Sequence, residues 1–201
     1  MDVLSELRET GVVHLKAFFP REWCDIFLEN NKHLLDKKQD LSLEGYSGYG
    51  DILIKDNVFY GKKAEYWEAF KLDLDKHSNS VELFVKELEN LKIGTLWSCQ
   101  FLIKKRFLKD ALPCHRDNEY KENIRYYNSG VYLTDSTSED AVYYYPGTHK
   151  NKDINYIKEE KTFITAKKGD VIIHDSYAWH GSLNDINEGR STLYIKFKNE
   201  L

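Results

Sequence analysis

The segment Thr95-Leu96-Trp97-Ser98-Cys99-Gln100-Phe101-Leu102-Ile103-Lys104 marks where the chain changes character. It mixes apolar, aromatic and β-branched residues, holds neither Gly nor Pro, and predicts a strand. Short segments of the same kind recur downstream at 114–120, 130–134, 141–145, 162–166, 170–174 and 191–198, each bounded by turn-forming residues. No helical crossover fits between them, so they suit an antiparallel jelly roll better than a parallel sheet. Upstream, the pattern is mostly helical. Residues 2–10 predict a helix stopped at Gly11, followed by an extended stretch over 12–18. Pro20 then suits the first turn of a helix running through residue 36, with Trp23, Ile26, Phe27, Asn30 and Leu34 three to four residues apart. Residues 37–61 interleave Gly45, Gly48, Gly50 and Gly61 with Tyr46, Tyr49, Phe59 and Tyr60, and predict a long loop with one strand at 52–55. Two helical segments at 64–71 and 81–91 complete this half, the second capped by Asn79 or Ser80. Helices first and strands after imply an α+β, mainly β fold. One domain is expected over 1–201, with 1–94 a mostly helical flank and lid loop and 95–201 the jelly-roll core.

The bulk properties fit a globular domain. At 201 residues, 41% of them hydrophobic, the chain can bury roughly 70% of its unfolded surface, so its core needs no disulfide or structural metal. A net charge of -4 provides no basic field for phosphate backbones, so no nucleic-acid partner is expected. Apolar runs such as Val171-Ile172-Ile173 are far shorter than a bilayer requires, and the residues after Met1 lack the pattern of a secretory signal. No membrane association and a cytoplasmic location are therefore expected. Cys24, Cys99 and Cys114 are odd in number and widely spaced, which argues against a disulfide framework or a zinc-thiolate site.

The chemistry concentrates at two places. In Cys114-His115-Arg116-Asp117, strand parity puts an imidazole and a carboxylate on one face, where both can reach one cation. His180, in Trp179-His180-Gly181-Ser182, offers a third ligand beyond the segment Gly169-Asp170-Val171-Ile172-Ile173-His174. Two histidines and one carboxylate with open positions suit non-haem Fe(II), and zinc would also fit. The second place is Gly189-Arg190-Ser191-Thr192-Leu193-Tyr194-Ile195-Lys196-Phe197. Here Leu193, Ile195 and Phe197 share one face, and Arg190, Thr192 and Tyr194 the other. If that second face lines the barrel, Arg190 is a buried cation needing an anion, such as a dicarboxylate held by its fork with a hydroxyl of Ser182 or Thr192 beside it.

Taken in order, these residues resemble the phytanoyl-CoA dioxygenase family of Fe(II)- and 2-oxoglutarate-dependent oxygenases. The resemblance runs from the opening Leu7-Arg8-Glu9-Thr10-Gly11-Val12-Val13-His14 through His115 and Asp117, the turn Tyr145-Pro146-Gly147-Thr148-His149, Gly169-Asp170, His180-Gly181-Ser182 and Arg190-x-Thr192. It implies a double-stranded β-helix, cupin-like, holding Fe(II) through His115, Asp117 and His180. It also implies Arg190 on the distal carboxylate of the co-substrate 2-oxoglutarate, with Ser182 or Thr192 assisting. Dioxygen would be the oxidant, and hydroxylation of a small-molecule C–H bond with release of succinate and CO2 the expected outcome. The carboxylate of Asp117 argues against a halogenase. Residues 138–141, Ser-Glu-Asp-Ala, depart from the Asn-Gly pair the family often carries there. The chain is small, so a small metabolite is a better expected substrate than an acyl-CoA. The cations of Lys104-Lys105-Arg106 and Lys109 offer a landing patch if that substrate is anionic. Gln100 is a further candidate contact to the co-substrate, and His174 a candidate neighbour of the ligands. Tyr46, Tyr49, Phe59, Tyr60 and Trp67 are candidate lid residues. A cupin-like divalent-metal hydrolase or isomerase using the same His/Asp/His set is the competing expectation.

Overall fold

In the computed structural model, residues 2–31, 47–49, 52–55, 58–61, 67–71, 78–104, 112–153, 160–183 and 190–201 are described. Helix α1 (Val3–Thr10) starts at Asp2, whose carboxylate accepts from the Ser5 N–H, and stops at Gly11 with φ 81°. That left-handed turn favours glycine, and here a Cβ would also lie 2.4 Å from His149 Nδ1. Strand β1 (Val12–Leu15) follows, then α2 (Arg21–Asn30) behind Pro20. Helix α2 ends at Asn30, short of the expected residue 36; Asn31 caps it, and 32–36 lie outside the described residues. The next helix, α3, spans Ser78–Glu89, so Asn79 and Ser80 are inside its first turn and do not cap it.

Between α2 and α3, the strand expected at 52–55 is present as Ile52–Lys55, while further strands stand within the expected loop and, at 67–71, in place of the expected helix. β2 (Ser47–Tyr49), β3 (Ile52–Lys55), β4 (Val58–Gly61) and β5 (Trp67–Lys71) form an antiparallel meander. Among the described residues before Thr95, the helices are thus accompanied by strands. Tyr49 pairs with Ile52 and Lys55 with Val58. Residues 67–71 form a strand because they have ladder partners on both sides, β4 and the long strand β6 (Thr95–Lys104). Five residues alone cannot sustain a helix against that gain.

The remaining strands are β7 (Leu112–His115), β8 (Ile124–Tyr132), β9 (Val142–Tyr144), β10 (Thr162–Ile164), β11 (Val171–Asp175), β12 (His180–Ser182) and β13 (Arg190–Glu200). They close into two antiparallel sheets, the nine-stranded β1-β11-β8-β13-β6-β5-β4-β3-β2 and the four-stranded β10-β9-β12-β7. This is the mainly β jelly roll that the spacing predicts.

Two apolar clusters follow from strand parity. Tyr127, Val131, Ile173, Leu193, Ile195 and Phe197 project from the large sheet onto Leu7, Phe27, Phe84 and Leu88 of the helices. Each such side chain contributes about 1.5–3 kcal/mol through burial. The opposite face of the same strands looks into the barrel, where Tyr132, Val142, Tyr144, Ala166 and Ile172 form a smaller cluster. Within the large sheet, Asp170 ties the entry of β11 to β1: it accepts from Ala17 N–H at 2.7 Å and pairs with His14 Nε2 at 2.8 Å. Gly169, φ 91°, lets the chain pass the Phe19 carbonyl, which would lie 2.3 Å from a Cβ.

Candidate functional site

The small sheet brings the two halves of the expected ligand set together. Its register sets His180 of β12 opposite His115 of β7 and, on the other side, Tyr144 of β9. Asp117 does not share a strand with His115, as parity had suggested. β7 ends at His115, and Asp117 sits in the following bend, where its N–H donates to the Ser176 carbonyl at 2.9 Å. A turn returns the carboxylate to the imidazole that a straight strand would also have paired with it.

The result is a cluster in which one ligand atom each from His115, Asp117 and His180 lies within 4.8 Å of the others. Asp117 Oδ1 is 3.2 Å from His115 Nε2 and 3.6 Å from His180 Nε2. Nδ1 of His180 faces the Ala178 carbonyl at 2.9 Å, so the proton sits on Nδ1 and the Nε2 lone pair points to the cluster. Burial holds the His180 pKa down to about 3, outweighing the pull of Asp117, so this ring is neutral at physiological pH. Burial would raise the Asp117 carboxyl, but His180 and the hydrogen bonds from His115 and His174 outweigh it and hold it well below the usual range. Two imidazole nitrogens, that of His180 neutral, and one carboxylate oxygen converging on one point can hold a divalent cation and leave positions open for ligands.

The other oxygen of Asp117 is fully engaged. Asn128 Nδ2–H donates to Oδ2, and His174 Nε2–H donates to it at 3.1 Å. With that tautomer, His174 Nδ1 accepts from the Tyr144 hydroxyl at 3.3 Å, and the Tyr144 ring stacks on His180, centroids 5.6 Å apart. His174 is therefore a neighbour that orients a ligand, not a ligand itself. Sequence reasoning missed Asn128 and Tyr144; their one signal was inward parity on strands flanking the histidines. His149 is structural: Nε2 meets the Arg8 carbonyl at 3.1 Å beside the α1 cap.

Further along the interior, β13 faces β8, with Tyr194 opposite Gly130 and Thr192 opposite Tyr132. Gly130 is tight, since a Cβ would lie 3.2 Å from the Tyr194 ring and 3.3 Å from the Thr192 methyl. Arg190, Thr192 and Ser182 are all buried, so the inward face of β13 carries the cation as expected. Arg190 Nη1 donates to the Asp140 carbonyl at 2.6 Å, and the guanidinium lies 5.6 Å from the Tyr132 ring centroid. Among the described residues, Arg190 Nε and Thr192 Oγ1 are buried without a hydrogen-bond partner. Buried polar atoms are seldom left so, and a bound anion is one way to complete them. Gln100 pairs through its backbone with Tyr194. Its side chain lies outside the described residues, as do those of Lys104–Lys109 and of the candidate lid residues Tyr46, Tyr49, Phe59, Tyr60 and Trp67.

The sequence model of the phytanoyl-CoA dioxygenase (PhyH) family matches residues 7–191. No curated protein matches the chain by sequence. Among solved structures, it is similar to the non-haem α-ketoglutarate-dependent epimerase SnoN of nogalamycin biosynthesis, with a TM-score of 0.70 and 16% identity over 98% of this chain and 81% of that one. The α-ketoglutarate-dependent carbocyclase SnoK of the same biosynthesis gives a TM-score of 0.72 at 16% identity, covering 98% of this chain and 82% of that one. EvdO2 from Micromonospora carbonacea var. aurantiaca, complexed with 2-oxoglutarate, gives 0.74 at 12% identity over 100% of this chain and 93% of that one. At these identities the likeness is one of fold.

Proposed function

Because the chain belongs to the phytanoyl-CoA dioxygenase family, we propose that it is a non-haem Fe(II)- and 2-oxoglutarate-dependent oxygenase that hydroxylates a C–H bond of a small molecule. The observation that carries this reading is the coexistence, in one barrel interior, of a His/carboxylate/His cluster and a buried guanidinium with an unpartnered Nε beside an unpartnered Thr192 hydroxyl. The donor set fits Fe(II), and the orphaned atoms fit a carboxylate.

In this reading His115 Nε2, Asp117 Oδ1 and His180 Nε2 hold the metal. Arg190 takes the distal carboxylate of 2-oxoglutarate through Nε, and Thr192 or Ser182 donates a hydroxyl to it. When bound, the pair supplies oxidative decarboxylation with dioxygen, to succinate and CO2, together with the oxidising power that a C–H bond requires. The protein's own residues do the rest. His174 and Asn128 hold Asp117 Oδ2, so only Oδ1 is presented to the metal. Tyr144 covers one side of His180, and burial keeps its hydroxyl protonated far above neutral pH. Arg190 stays charged, because the surrounding tyrosines and Asp140 outweigh its burial. Epimerisation and ring closure, the reactions of SnoN and SnoK, differ from hydroxylation in where the substrate carbon and its neighbours lie. Among the described residues no helix is long and apolar enough to cross a membrane.

The test is an anaerobic titration of metal-free protein with Fe(II) and then 2-oxoglutarate, followed by the visible charge-transfer band of the chelate. The band is expected in wild type and weakened in Arg190→Ala. A protein that binds Fe(II) or Zn(II) but never develops the band would instead be a divalent-metal hydrolase or isomerase.

A further inference from the structure

The environment of Arg190 contains a second charge that its proposed role does not use. Asp140, within the segment 138–141 where this chain departs from the family's Asn-Gly pair, is buried, its side chain 3% exposed. Oδ1 accepts from Thr137 N–H at 2.5 Å and from Thr137 Oγ1 at 3.3 Å. Oδ2 faces Arg190 Nη1 at 3.7 Å, and the Asp140 carbonyl accepts from the same Nη1 at 2.6 Å.

We infer that Asp140 is a positioning and affinity-setting residue for the co-substrate: it holds one edge of the Arg190 fork, leaves the Nε side to the incoming carboxylate, and weakens the charge that carboxylate meets. The inference rests on the proposed 2-oxoglutarate site. A guanidinium is planar and presents its N–H groups in fixed directions, so anchoring Nη1 fixes where Nε points. A buried cation with no counter-charge is costly, and Asp140 offsets that cost while the site is empty of co-substrate. Once a dicarboxylate arrives, one cation serves two carboxylates. Binding is then weaker than to Arg190 alone, and succinate, which keeps the same distal carboxylate, leaves more easily. Thr137 makes this arrangement stiff, since it binds the oxygen of Asp140 that does not face Arg190.

Asp140→Asn separates the two roles, because it keeps the backbone carbonyl and an acceptor for Thr137 but removes the charge. Titrating 2-oxoglutarate into Mn(II)-loaded protein by calorimetry, the variant is expected to bind about tenfold more tightly than wild type, the scale for one unit charge in a partly screened interior. Mn(II) affinity should be unchanged. Without metal, the variant should melt lower than wild type and regain the difference in succinate, whereas a residue with a merely structural role would weaken binding. Unchanged or weaker binding by Asp140→Asn, with wild-type binding intact, overturns this inference alone. Wild type that takes Mn(II) but gives no heat with 2-oxoglutarate sinks the proposed function and this inference together. If Asp140→Asn is recovered only as aggregate, refolding in excess succinate decides: recovery of soluble protein supports the pairing, and failure overturns it.

Discussion

Strand β13 shows two ways of burying a side chain on one piece of backbone. Leu193, Ile195 and Phe197 leave one face and are 0% exposed among the helices. Arg190 and Thr192 leave the other and are as well hidden, at 4% and 0%, yet they keep unpartnered polar atoms. The outer face is complete as it stands. On this strand the inner face carries an unmet hydrogen-bonding need at a cation and a hydroxyl two residues apart, a pairing that suits an anion.

The comparison can be broken most forcefully at the metal cluster. Asp117→Ala or His180→Ala should reduce Fe(II) affinity by more than about a hundredfold, beyond the usual effect of changing a residue that only orients a ligand. Stability of the metal-free Asp117→Ala protein should fall by only about 1–3 kcal/mol, since Asn128 and His174 lose their acceptor, and calorimetry with scanning fluorimetry reads both quantities. On the apolar face the roles reverse. Phe197→Ala should cost about 3–5 kcal/mol of stability by denaturant titration, with the co-substrate affinity of the folded fraction unchanged.

A subtler contrast involves pH. His149 is buried at the α1 cap and has its pKa pushed down to about 4, mainly by desolvation. The unfolded chain therefore binds this proton more readily than the folded one. The stability held by the neutral ring is complete above about pH 6.5 and is lost as pH falls toward 4, by about 2 kcal/mol. His149→Gln should flatten that acid limb in melting curves recorded from pH 7 to pH 4, leaving Fe(II) affinity at pH 7 unaltered. The smallest effect is the sharpest test of the two faces. Thr192→Val replaces an unpartnered buried hydroxyl by a methyl, so stability should stay within about 0.5 kcal/mol, while 2-oxoglutarate binding weakens by about 1 kcal/mol. Equal losses in both would mean that the inner face is ordinary core.

The candidate ligands and the parity of β13 were legible in the sequence because each depends on a short-range pattern: HxD, His-Gly-Ser, and alternation around Arg190. Of the strands between 47 and 71, only 52–55 was. Gly and charged residues there have weak strand preference by themselves, and it is the edge of β6 that makes Trp67–Lys71 extended. The partners of the site were also hidden. Asn128 is 11 residues from Asp117, His174 is 57 and Tyr144 is 30 from His174, so only sheet register brings them together. Asp140 looked like a departure from a turn pattern, and its meaning emerged from the guanidinium across the barrel.

Arg116 lies between the two ligands of the HxD pair and works for neither. Its guanidinium donates to the carbonyls of Thr148, Asn151 and Lys152 at 2.8–2.9 Å and rests 5.0 Å from the centre of the Trp179 ring, next to His180. One side chain thus laces the bend bearing Asp117 to the turn after β9 and to the neighbour of the third ligand. The two segments that bear the candidate ligands are tied together through this side chain before any ion arrives. An arriving ion has little chain entropy left to remove, and its departure need not loosen the barrel mouth. Exchange of one divalent cation for another should then be a local substitution of ligands, with the sheets around it unmoved.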